Sequence, residues 1–240
     1  MKQKELNKLD LNIKEIEECF HIVTQHRLQI TFSLQTILTS EYCIPIFNNT
    51  KEGNIFQTCL NSLYLNCIVN IRKILEPNKG KKKSNLDFLI NTVYRNKDFF
   101  AQKHYDADYN KPRHSMDIYE EKGTYVPLEL DEFKKCELAE PCREKCLKEI
   151  EKVNNKWDRY WNAQLGNWCF SLQKYRDNLV HSFKEYPVYL PSTDKLRRYL
   201  SVINWFLGRL EFIIMNSSSN RYELDQDIKT VASNFWKKIQ

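Results

Sequence analysis

Residues 176–182 read Arg-Asp-Asn-Leu-Val-His-Ser, which places a permanent cation, Arg176, five residues before His181, a side chain that exchanges protons near neutrality. A proton-exchanging ring and a cation beside a crowded phosphorus are the tools that RNA cleavage through its own 2′-hydroxyl requires. On a helix the two residues stand about 140° apart, because each residue turns about 100°. They therefore converge only through a kink, a frayed end or a partner. Asp177 lies one turn before His181, where its carboxylate could accept the ring N–H, fix the tautomer and raise the basicity of the other nitrogen. Asn178 and Ser182 could donate to a phosphate or cap the helix end. Tyr175 reads as a packing residue that supports Arg176.

The element that must position these groups is a long helix. Leu147, Ile150, Trp157, Trp161, Leu165, Trp168, Leu172, Tyr175 and Leu179 form one apolar stripe, with Pro141 expected in its first turn and Gly166 passed without loss of phase. The three tryptophans lie on the stripe with the leucines, so they are expected in the core. Relative to the stripe, Arg176 falls on the flank and His181 on the far side, where a second surface should cover it.

Around that helix the pattern is helical throughout. Leu6, Leu9, Ile13, Ile16, Phe20, Val23, Arg27, Ile30, Leu34 and Ile37 recur at alternating steps of three and four, a long helix with one buried seam. Arg27 interrupts the seam, either burying its stem and snorkelling or facing a phosphate in a cleft. Phe56 to Leu75 is apolar on several sides and ends at Pro77; Ser84 is expected to cap a short helix carrying Leu86, Leu89, Ile90 and Val93. From about Gln102 to Val126 the periodicity disappears, and Tyr105, Tyr109, Tyr119 and Tyr125 mix with Lys103, His104, Lys111, Arg113 and His114. This reads as an insertion at about 102–128, either a reader of splayed bases or an ordered loop with aromatic anchors. Ser192-Thr193-Asp194 starts a further helix, Ser217-Ser218-Ser219 ends it, and a last amphipathic helix follows from about Tyr222.

Composition agrees with an all-α class. Hydrophobic residues make up 42% and aromatic ones 13%, enough for a packed core. The 5 Gly and 7 Pro cluster between apolar runs, which argues against sandwiches, barrels and Rossmann units. The net charge of +6, from 37 basic and 31 acidic residues, permits a nucleic-acid partner without identifying one. No apolar run is long enough to span a bilayer and the N-terminus is charged throughout, so no membrane span and a cytoplasmic chain are expected. The 8 cysteines fall mostly at helical positions such as Cys19, Cys59, Cys67 and Cys169 and read as reduced thiols. Cys136, Cys142 and Cys146 offer three soft ligands, with only His104 and His114 upstream to complete a zinc set; no metal and no cofactor are expected.

The pattern RDNLVH, at the end of a long helix in an all-helical chain, resembles the Arg-x4–6-His signature of the HEPN superfamily. Cys59 to Pro77 is similar to the early core helix of HEPN proteins linked to phage abortive infection. The two likenesses cover two helices and imply a single domain over 1–240: an antiparallel bundle of four principal helices with an inserted loop and a C-terminal helix. They imply a metal-independent endoribonuclease with Arg176 and His181 as its catalytic residues, acting as a homodimer in which two motifs line one cleft and leaving cyclic phosphate ends. The implied partners are RNA, tRNA among the candidates, and an antitoxin or nucleotidyltransferase-like protein in bacterial defence. The alternative is a catalytically silent HEPN-like module that binds a nucleotide, an RNA or a protein.

Overall fold

The computed structural model describes residues 2–40, 43, 52–76, 84–112, 114–116, 125–127, 130–181, 190–216 and 221–236, with the backbone alone for 2–12, 114–116, 125–127, 165–166, 178–181 and 221–224. The chain is an all-α bundle. Its described elements are α1 (Lys2–Ser40), α2 (Gly53–Leu75), α3 (Leu86–Arg95), α4 (Lys97–Tyr109), α5 (Glu132–Tyr160), a π-helical turn (Trp161–Leu165), α6 (Gly166–His181), α7 (Thr193–Met215) and α8 (Arg221–Phe235). Between α4 and α5 lies a two-stranded antiparallel ribbon, β1 (His114–Met116) and β2 (Tyr125–Pro127).

The apolar stripes become the core. Ile16, Phe20, Val23, Ile30, Leu34 and Ile37 of α1 are buried against Cys67, Ile68, Ile71 and Ile74 of α2 and against the face of α7 formed by Leu196, Leu200, Ile203, Leu207, Leu210 and Ile214. Each such aliphatic side chain contributes roughly 1.5–3 kcal/mol relative to exposure. A satellite cluster of Cys43, Phe56, Leu60 and Trp236 ties the C-terminal end to the start of α2. The Trp236 indole N–H donates to the Thr36 carbonyl at 2.7 Å, which satisfies the polar edge of a buried ring. Helix α7 begins at Ser192, whose hydroxyl accepts from the Lys195 N–H, and ends at Asn216 in the left-handed conformation.

Five local expectations are corrected. The cap of α3 is Asn85, not Ser84: its extended backbone turns the amide oxygen onto the Phe88 N–H at 2.8 Å. Residues 102–109 are helical, so the irregular stretch begins after Tyr109. Helix α5 starts not at Pro141 but at Glu132, because Asp131 caps it through the Lys134 N–H at 2.7 Å. Pro141 is therefore interior, on an exposed turn where water can satisfy the carbonyl that lacks its usual donor. The stripe does not cross Gly166 in a single phase, since the wider turn at Trp161–Leu165 intervenes just before it. Trp157 on one side of that turn stacks on Trp161, and Trp168 on the other packs edge-on against Tyr199.

The fifth correction concerns Arg27, which neither snorkels nor faces a cleft. Its side chain is buried, with Nε donating to Asn204 at 2.8 Å and Nη2 to Asp225 at 2.6 Å. One guanidinium thus joins α1, α7 and α8. The eight cysteines are free thiols. Burial pushes the Cys19, Cys67 and Cys146 thiols up to about 12, so they behave as small core groups rather than nucleophiles.

Candidate active site

The motif stands on α6, and α6 is held by two neighbours. Leu172 is fully buried, and the helix packs on α2, where the Cys169 thiol approaches the Leu75 carbonyl at 3.9 Å. Burial, and next to it the Glu76 carboxylate, push the Cys169 thiol up to about 11. On the other side the start of α7 reaches α6 through side chains. Tyr175 is half-buried, and Lys195 at the start of α7 donates to its hydroxyl at 3.2 Å while standing over its ring at 5.2 Å. Tyr199, one turn further along α7, is buried and its phenol is pushed up to about 12, chiefly by burial. Tyr175 thus packs at the edge of the core, and Lys195 is a neighbour that sequence reading missed. Nothing local marks a lysine 20 positions away as its partner.

Arg176 and Asp177 form a pair at the surface, each with about 40% of its side chain exposed. Nε and Nη2 of Arg176 donate to the same oxygen, Asp177 Oδ1, at 2.9 and 2.6 Å. The carboxylate expected to orient His181 is therefore engaged by the arginine. This holds the guanidinium in a fixed plane against the helix and offsets its charge. The side chains of Asn178 and His181, and all of Ser182, lie outside the described residues.

The backbone is described as far as His181, and it is helical without interruption from Arg176 to that end. Over five residues of unbroken helix the two Cα positions remain about 140° apart. A kink between them is thus not the device that brings the two residues together.

Among the described residues no three His, Cys, Asp or Glu side chains gather as a metal site. His104, considered as a completion for the cysteine trio, is buried, and its Nε2 donates to the Ile213 carbonyl at 3.1 Å. Lys103 beside it donates to the Ile214 carbonyl at 2.8 Å, so α4 supplies donors to the last turn of α7. Cys136 is exposed, Cys142 half-buried and Cys146 buried on α5. No helix among the described residues is long and apolar enough to cross a membrane.

A basic stripe also went unread in the sequence. Lys145, Lys148, Lys152, Lys156 and Arg159 recur along α5 at steps of three, four, four and three, and all but the half-buried Lys156 are exposed. The apolar stripe of the same helix drew the eye, and the cations lie on its flank. No family model, no curated protein and no solved structure matches this chain.

Proposed function

We propose that this chain is a metal-independent endoribonuclease of the HEPN kind, working as a homodimer. The observation that carries the reading is the position of RDNLVH: it closes α6, with Arg176 half exposed and fixed by Asp177, and α6 packs on α2, the helix that bears the second likeness. The two segments that resemble the family are thus neighbours in space.

In this reading His181 removes the proton from the 2′-hydroxyl, and the oxygen so freed attacks phosphorus. The 5′-oxygen leaves with a proton from the second histidine of the dimer. Arg176 stabilises the charge that builds on the phosphorane oxygens. The products are a cyclic phosphate and a 5′-hydroxyl end. Because the RNA supplies the nucleophile, no metal is needed to generate one. The unbroken helix between Arg176 and His181 favours a second copy over a kink as the means of convergence. The setting implied by the resemblance is bacterial defence or a toxin–antitoxin pair.

One observation favours the silent module instead: both described bonds of Arg176 fall on Asp177, which offsets the cation the chemistry would use. Induced expression separates the two. A nuclease arrests growth and Arg176→Ala relieves the arrest; tolerance of both forms, or arrest that persists in Arg176→Ala, contradicts the nuclease.

A further inference from the structure

The basic stripe of α5 faces the edge of α7, and the residues that meet there alternate between cations and rings. Lys145 stands 5.2 Å from the centre of the Phe212 ring, Arg209 pairs with Glu149 at 3.0 Å, and Lys156 stands 3.6 Å from the centre of Trp205 and 5.8 Å from that of Tyr160. The two helices thus run antiparallel, bridged midway by the Arg209–Glu149 pair. A cleft of about 450 Å³ opens on α5 beside the Trp205 contact, lined by Lys152, Asn155, Lys156, Arg159 and Tyr160, all of that helix. A separate cleft of about 330 Å³ lies where Lys145, Phe212, Lys111 and Cys142 meet Asp108.

The charge along this face of α5 is held in place without being fully offset. Lys145 and Lys156 are positioned by ring faces rather than carboxylates, and a cation held over a ring keeps its full charge. Arg159 is exposed and has no ion pair among the described residues. Against these stand Glu149, shared by Arg209 and Lys152, and Glu144, which reaches Lys148 at 3.4 Å. Glu151 and Asp158 lie about 100° and 120° from the centre of the stripe by helical rotation, and about 60° and 80° from Lys148.

We propose that this cleft on α5 binds single-stranded RNA, with Lys152, Lys156 and Arg159 on its phosphates and Tyr160 and the neighbouring Trp205 beside its bases. Cations at one-turn spacing with half-exposed rings among them suit a strand whose phosphates and bases are both accessible. An acidic polypeptide would use the lysines but not the rings. The choice of RNA rests on the nuclease reading above.

The test is binding of a fluorescein-labelled, unstructured RNA of about 12 nucleotides, within the range of single-strand sites, to full-length protein carrying His181→Ala. The expected result is that Lys152→Ala/Lys156→Ala/Arg159→Ala weakens binding about tenfold or more with unchanged circular dichroism. It should also flatten the dependence of log K on log salt by about 2, since each lost phosphate contact removes about 0.7. Lys156→Arg should bind as the parent does. Unchanged affinity and slope in the triple variant would overturn the proposal, as would polyglutamate competing as well as unlabelled RNA. Wild-type protein that binds through this cleft yet never cleaves would leave the binding site standing and remove the nuclease reading instead.

Discussion

Arg176 and Asp177 illustrate how little a neighbouring ion pair does for stability and how much it does for placement. Both side chains are about 40% exposed, so water screens their attraction and the pair contributes on the order of 0–1 kcal/mol. What the pair does is hold the guanidinium plane. Arg176→Ala should therefore lower unfolding free energy by less than about 1 kcal/mol, read from urea denaturation. The same change should slow RNA cleavage by about 10²-fold or more, as expected for a lost group that stabilises developing charge. A large loss of stability with cleavage retained would reverse both assignments. The motif itself was legible because its residues are adjacent in sequence. The engagement of Asp177 by Arg176 was not, since an aspartate one turn from a histidine and next to an arginine has two partners that spacing alone does not rank.

Elements show a similar division. The heptad seam placed the buried face of α1, but the role of Arg27 depended on Asn204 and Asp225, 177 and 198 residues away. Removing that guanidinium leaves a carboxylate half sheltered among helices, with its Oδ1 already lacking a hydrogen-bond partner. Arg27→Ala should cost about 3 kcal/mol, at the lower end for a broken buried pair because Asp225 retains some contact with water. Arg27→Met combined with Asp225→Leu should recover most of that loss, since no uncompensated charge then remains. Urea unfolding of the single and double variants checks this. The start of α5 was misread for a different reason: Pro141 is a strong signal for a first turn, but Asp131 caps ten residues earlier and packing of Ala139 and Cys146 carries the helix across the proline. The capping aspartate was visible; its precedence over the proline was a tertiary outcome.

At the scale of the whole molecule, one buried ring and one half-buried ring link folding to pH. Burial lowers the pKa of His104, only partly opposed by its bonds to the α7 carbonyls, and burial together with Lys73 lowers that of His26. Each ring binds a proton more readily when unfolded. Their contribution is therefore complete above the ordinary histidine value of 6.5 and is lost as pH falls through it toward the lower folded values. The thermal midpoint should fall between pH 7.5 and about pH 5, and less steeply in His104→Phe. That variant should also lose about 1–3 kcal/mol at neutral pH, by depriving the Ile213 carbonyl of its donor. The all-α architecture was readable from periodicity, because α1, α2, α3, α5 and α7 each bury an apolar stripe. The pairing of α5 cations with α7 rings was not, because the two helices meet only in the folded chain. Assembly is the remaining question at this scale, since convergence of Arg176 and His181 by a second copy requires a particle of twice the 28.9 kDa chain mass. The most direct measurement is incubation of the purified protein and its His181→Ala variant with total cellular RNA in EDTA, followed by mapping of the product ends. Cleavage by the wild type alone, leaving cyclic phosphate and 5′-hydroxyl ends, is the expected result; equal cleavage by both proteins, or intact RNA with both, would contradict it.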